Sequence, residues 1–99
     1  MTIEEIKEEG KVQLNVHGKI DALASTEFQD GILKAFQKSS NVILNMADVQ
    51  YISSAGLRGL MIGQKTAGSK GGKFTIINVT DPVRDILRVT GLEKALSIQ

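Results

Sequence analysis

Two adjacent hydroxyls, Ser53 and Ser54, stand where an apolar run gives way to helical spacing, and no other residues of the chain are better placed to do chemistry. They lie within Asp48, Val49, Gln50, Tyr51, Ile52, Ser53, Ser54, Ala55, Gly56, Leu57, Arg58. Val42, Ile43 and Leu44 before this segment read as a buried strand. Leu57, Leu60 and Met61 after it fall at helical spacing, which makes Ser54 a natural N-cap. A hydroxyl there lies among backbone N–H groups that no helical carbonyl satisfies, at the positive end of the helix dipole. A dianionic phosphate fits that position without disrupting the fold. On local pattern alone, phosphorylation of Ser54 competes with the plain role of serine as one of the commonest caps.

Other reactive arrangements fail on spacing. Ser54, Ala55, Gly56 matches half of a nucleophile elbow, but Ile52 occupies the place of the first glycine. The single histidine, His17, lies on an early strand opposite the inward Val12, Leu14 and Val16, where an exposed imidazole is more often neutral decoration than a base or ligand. Gly68 to Lys73 approaches a phosphate loop, yet it is one residue short, Phe74 replaces the Ser or Thr, and a helix precedes it instead of a strand. No enzyme, metal site or cofactor site is expected.

The elements that position the serines follow from periodicity. Thr2 to Glu8 and Lys11 to His17, joined at Gly10, form a hairpin, with Val12, Leu14 and Val16 on one face. Ser25 or Thr26 opens a helix, Thr26 and Gln29 having capping-box spacing, with Phe28, Ile32, Leu33 and Phe36 as its stripe and an end near Ser39. Val42 to Asn45 is apolar at consecutive positions, as in central parallel strands covered on both faces. A second helix spans about Ala55 to Ala67 and stops at Gly68, and Phe74 to Val79 is the fourth strand. Asp81 caps a third helix with Pro82 in its first turn, Val83, Ile86 and Leu87 inward, and Gly91 at its end. A helical turn and strand finish the chain at Leu96 to Ile98. Strands alternating with helices predict an α/β fold with a mostly parallel sheet of four to five strands, an antiparallel N-terminal hairpin and three to four helices. Binding sites of such folds gather beyond the carboxyl ends of the strands, where Ser54 falls.

Composition sets bounds. Ninety-nine residues at 41% hydrophobic content suffice for one domain over 1–99, burying roughly 60–70% of the unfolded surface. There is no cysteine, so disulfides and thiolate metal sites are excluded and a reducing compartment suits the chain. Met1 to Glu9 lacks the basic start and apolar core of a signal peptide, and no apolar stretch approaches the ~20 residues of a membrane span. A cytoplasmic protein is expected. A net charge of +1 supplies little of the phosphate attraction that nucleic-acid binding needs. Lys65, Lys70 and Lys73 are read as a solvated helix end.

The segment around Ser54 resembles the signature of the anti-sigma-factor antagonists, bacterial members of the STAS (sulphate transporter and anti-sigma-factor antagonist) family, whose pattern is Asp, Ser, Ser or Thr, Gly, Leu. Gly56 and Leu57 match and Ser54 stands at the phosphoacceptor. Ser53 replaces the usual Asp, and Ala55 replaces the second Ser or Thr. Gly18, Lys19, Ile20, Asp21 is similar to the turn after the family's second strand, and Thr90, Gly91, Leu92 to the end of its last helix. The resemblance implies the STAS fold. It also implies a binding protein that, unphosphorylated, engages an anti-sigma factor that is also a serine kinase and so releases a sigma factor. Phosphorylation of Ser54 would switch binding off and a phosphatase would reset it. Partner contacts are then expected from Asp21, Ser53, Ser54, Ala55, Gly56, Leu57 and Arg58. Asp21 read alone is equally a turn residue bonding its own backbone. Ser53 is a polar loop residue more readily than a second acceptor. The two departures keep open an unphosphorylated interaction subunit of a lipid- or solute-transport complex; a phosphocarrier would have to use His17.

Overall fold

A computed structural model describes residues 1–99. Strands β1 (Thr2–Glu8), β2 (Lys11–His17), β3 (Asn41–Asp48), β4 (Lys73–Ile77) and β5 (Ser97–Ile98) form one sheet in the order β1-β2-β3-β4-β5. The β1–β2 hairpin is antiparallel and every other pairing is parallel. Helices α1 (Ser25–Lys38), α2 (Ser54–Ser69) and α3 (Asp81–Val89) supply the three crossovers, and a 3-10 turn at Leu92–Lys94 precedes β5.

Because the parallel strands follow one another in sequence order, crossovers of one hand all step the same way and put their helices on the same face. The sheet is therefore covered on one side only. In β3 burial alternates strictly: Val42, Leu44 and Met46 are fully buried, while Ile43 and Asn45 are half-buried on the open face. This corrects the expectation of a strand covered on both sides. The consecutive apolar residues mislead because Ile43 lies beside Gln13 and Thr75 on the uncovered face. That face is knitted by amides: Asn45 donates to Asn15 (3.0 Å), Asn78 to Asn45 (3.1 Å), and Asn15 to Glu4 (3.1 Å).

The core lies between the sheet and the helices and includes Phe28, Ile32 and Phe36 of α1, Leu60 of α2, and Val83 and Leu87 of α3, set on Val12, Leu14, Leu44 and Ile76. Its largest side chains are phenylalanines, and the rings of Phe36 and Phe74 meet at 5.8 Å in a tilted arrangement. The second helix runs to Ser69, past Gly68. Gly71, at φ +66°, is the residue that ends it: its N–H bonds the Gly68 carbonyl and the Gly72 N–H bonds that of Ala67 at 2.8 Å. This left-handed closing motif favours glycine at the position after the cap.

Candidate functional site

The two turns that carry the sequence-predicted residues are joined by backbone. β2 and β3 run on past their last paired residues into an isolated parallel bridge between Ile20 and Ile52. The Ile20 N–H donates to the Tyr51 carbonyl at 3.1 Å and the Ser53 N–H to the Ile20 carbonyl at 2.8 Å. Asp21 and Ser53 therefore sit beside one another at the carboxyl ends of adjacent strands. Both isoleucine side chains are buried and anchor the bridge to the core.

Ser53, not Ser54, is the N-cap of α2. Its backbone is extended (φ −80°, ψ 170°), its Oγ accepts from the Gly56 N–H at 3.1 Å, and Ser54 is the first helical residue. The shift has a physical reason: only an extended residue can turn its hydroxyl back onto the third N–H, and the bridge to Ile20 holds Ser53 extended. Ser53 is thereby half-buried and engaged. Ser54 is exposed and its hydroxyl makes no hydrogen bond within the chain.

Gly56 allows α2 to sit this low. A Cβ built on it would lie 2.7 Å from Ile52 Cγ1 and 2.8 Å from Ile20 Cγ2, so any side chain would push the helix start off the bridge. One turn on, a Cβ at Gly59 would meet the Phe28 ring of α1 at 3.0 Å. Ala55 is half-buried, and Leu57 packs into the core with 8% exposure, below the surface that was expected to meet a partner. Arg58 is exposed, and none of the ion pairs of the molecule includes it. The first turn of α2 contains no acidic residue.

Asp21 closes its own turn. Its Oδ1 accepts the Ala24 N–H at 2.9 Å, and Ala24, which has no capping side chain, precedes α1. The capping box expected at Thr26 and Gln29 is thus replaced by a turn from Asp21 to Ala24, just before the helix. The second carboxylate oxygen of Asp21 makes no bond within the chain. The exposure of one residue and the pairing of another gave no signal in the sequence. Leu23 stands 94% exposed in the same turn, and His17 Nδ1 lies 2.6 Å from Asp48 Oδ2, across the register shift between β2 and β3. His17 is therefore paired, though both groups are largely solvated and such a pair stabilises little. Thr80 Oγ1 donates to the Val49 carbonyl at 2.5 Å and ties the loop before α2 to the start of α3.

None of the surface cavities is lined by Ser53, Ser54 or Arg58, and the largest, about 600 Å³, lies between β1 and α1 around Ile3, Leu14 and Asp30. The serines thus lie outside the cavities, on a surface suited to a macromolecular partner more than to a small molecule.

A family model described as the STAS domain matches residues 2–99. The chain belongs to the STAS domain family. Among curated relatives it is 24% identical over 91 residues to the anti-sigma-B factor antagonist of Bacillus subtilis (strain 168), spanning 91% of this chain and 83% of that protein. Among solved structures it resembles the anti-sigma factor antagonist SpoIIAA in its unphosphorylated form, with a TM-score of 0.82 at 16% identity, covering 99% of this chain and 88% of the other. The phosphorylated form of SpoIIAA from Bacillus matches with a TM-score of 0.76 at 15% identity, over 99% and 91% of the two chains. At these identities the structural likeness establishes the fold, here the expected STAS arrangement of a mixed sheet with three helices.

Proposed function

We propose that this STAS domain is an anti-sigma-factor antagonist switched by phosphorylation of Ser54. Unmodified, the surface formed by Asp21, Ser53, Ser54 and Arg58 binds an anti-sigma factor that is also a serine kinase, which then releases its sigma factor. The kinase passes the γ-phosphoryl of ATP to Ser54 Oγ; the hydroxyl proton goes to a base of the kinase and ADP leaves. A phosphatase hydrolyses the ester and restores binding.

The observation that carries this reading is the contrast between the serines. Ser53 spends its hydroxyl on the cap, whereas Ser54 presents a free one at a helix start with no acid of its own, just past the bridge to the Asp21 turn. A phosphate there adds a charge of roughly −1.5 to −2. In a tightly packed interface such a group brings bulk, desolvation and repulsion from acidic groups of the partner. The names of the relatives support the reading: one is an antagonist of an anti-sigma factor, and SpoIIAA is known in unphosphorylated and phosphorylated forms.

The deciding experiment mixes the purified protein with each anti-sigma factor kinase of the source organism and ATP, then maps phosphopeptides. Label on Ser54 that disappears in Ser54→Ala, with loss of binding on modification, is the expected result. Label undiminished in Ser54→Ala but lost in Ser53→Ala would move the acceptor to the cap. No binding to any such kinase, with a transporter subunit co-purifying instead, would replace the switch by the transport-complex role.

A further inference from the structure

We propose that Arg58 is the intramolecular counter-ion of a phosphate on Ser54, and that phosphorylation acts partly by withdrawing this arginine from the partner surface. The inference rests on Ser54 being the acceptor, and it adds how the modified state is held.

Ser54 and Arg58 are four residues apart on α2, so their side chains share one face of the helix. The order is the favourable one, with the anion on the N-terminal side of the cation. Helical Cα–Cβ bonds tilt toward the N-terminus, so a long side chain at position 58 lies back over the turn that begins with Ser54. Guanidinium is the group best matched to phosphate, because its planar fork donates two parallel hydrogen bonds.

Arg58 is also the arginine left free for the task. Arg84 lies 3.4 Å from Glu93 and Arg88 2.8 Å from Asp85, whereas Arg58 forms no ion pair. The first turn of α2 offers no acid to compete, and the intervening Ala55, Gly56 and Leu57 offer no charged side chain. Lys19 and Asp21 flank Ile20, which is bridged to Ile52 next to the start of α2; they are present in both states and carry opposite charges.

The consequence concerns competition. In the unmodified protein the exposed guanidinium is available to a carboxylate of the partner. After modification the phosphate, tethered one helical turn away, meets the same guanidinium at an effective concentration that a partner in free solution does not match. The patch then changes from net positive to net negative, and the partner loses a contact as well as gaining a repulsion.

The test uses full-length protein with phosphoserine genetically encoded at position 54, so that no kinase is needed. In nitrogen-15 NMR spectra the Arg58 Nε–H signal should shift and sharpen on phosphorylation; an unchanged signal would overturn the pairing. Calorimetry with the purified anti-sigma factor kinases of the source organism then compares wild type and Arg58→Gln, each with and without phosphate. Unmodified Arg58→Gln should bind roughly threefold to tenfold more weakly than wild type, and phosphate should reduce its affinity by a smaller factor than it reduces that of wild type. Strictly multiplicative losses would overturn the withdrawal. If phosphorylated wild type binds as tightly as unmodified protein, the switch itself fails along with the withdrawal. A moved Arg58 signal in that case identifies the reading of Ser54 as a switch, and not the pairing, as the faulty step.

Discussion

Helices α2 and α3 begin in the same backbone conformation and in opposite electrostatic condition. Their N-caps, Ser53 (φ −80°, ψ 170°) and Thr80 (φ −73°, ψ 157°), are both extended hydroxyl residues. At α3 the hydroxyl does not cap: it reaches across to Val49, and the helix start is answered by the carboxylate of Asp81 and by Pro82, which has no N–H to satisfy. At α2 the hydroxyl does cap, but no acid answers the dipole. One start is complete in itself. The other has its hydrogen bonding settled and its charge left open, as a residue awaiting an anion requires.

Substitutions at five positions break or sharpen that contrast. The largest effect is expected from Gly56→Val, which drives the start of α2 off Ile20 and Ile52 while leaving α3 alone. A loss of about 1–3 kcal/mol is expected. For a chain of this size that lowers the melting temperature by roughly 4–8 °C per kcal/mol, readable by calorimetry. Next comes Ser53→Ala, which strands the Gly56 N–H; denaturant melts should show a loss of ~0.5–2 kcal/mol, with Ser53→Asp close to wild type.

A smaller effect separates the two roles of Asp21. Asp21→Ala should destabilise by about 0.5–1.5 kcal/mol through its lost bond to the Ala24 N–H. Asp21→Asn keeps the acceptor and should melt like wild type while still binding the anti-sigma factor more weakly. Equal partner affinity in Asp21→Asn and wild type would remove this carboxylate from the interface. The smallest effects have opposite signs. Asp81→Asn should destabilise α3 by ~0.3–1 kcal/mol, whereas Ser54→Asp should stabilise by a similar amount at low ionic strength. Equal signs in paired urea titrations would show that the α2 start was not electrostatically open.

The hairpin strands were legible to the residue, because Val12, Leu14 and Val16 alternate against charge and the Gly10 turn is unmistakable. The segment of α3 was equally plain. What eluded the sequence were relations between elements. The cap moved from Ser54 to Ser53 because a bridge from a distant turn sets the backbone there. At α3 it moved from Asp81 to Thr80, whose carbonyl accepts the first helical N–H, that of Arg84, while its hydroxyl goes to a carbonyl 31 residues away. The His17–Asp48 contact depends on a register shift that no local pattern encodes. At the site, residue types announced a hydroxyl at a helix start; that Ser54 and not its neighbour is the free one is a tertiary fact.

The hairpin strand β1 has a consequence for how this protein behaves in a crowd. It pairs with β2 alone, and Glu4, Glu5, Lys7 and Glu8 along it are all exposed. A bare sheet edge ordinarily invites another strand to add, the first step toward fibres. Here a parallel copy in register would line carboxylates against carboxylates, and Glu5 and Glu8 are already engaged by Lys38 and Lys11 of the chain itself. The opposite margin, β5, is two residues long and offers almost nothing to extend. Both open margins of the sheet are thus poor templates for growth, and concentrated solutions of the chain should resist fibre formation.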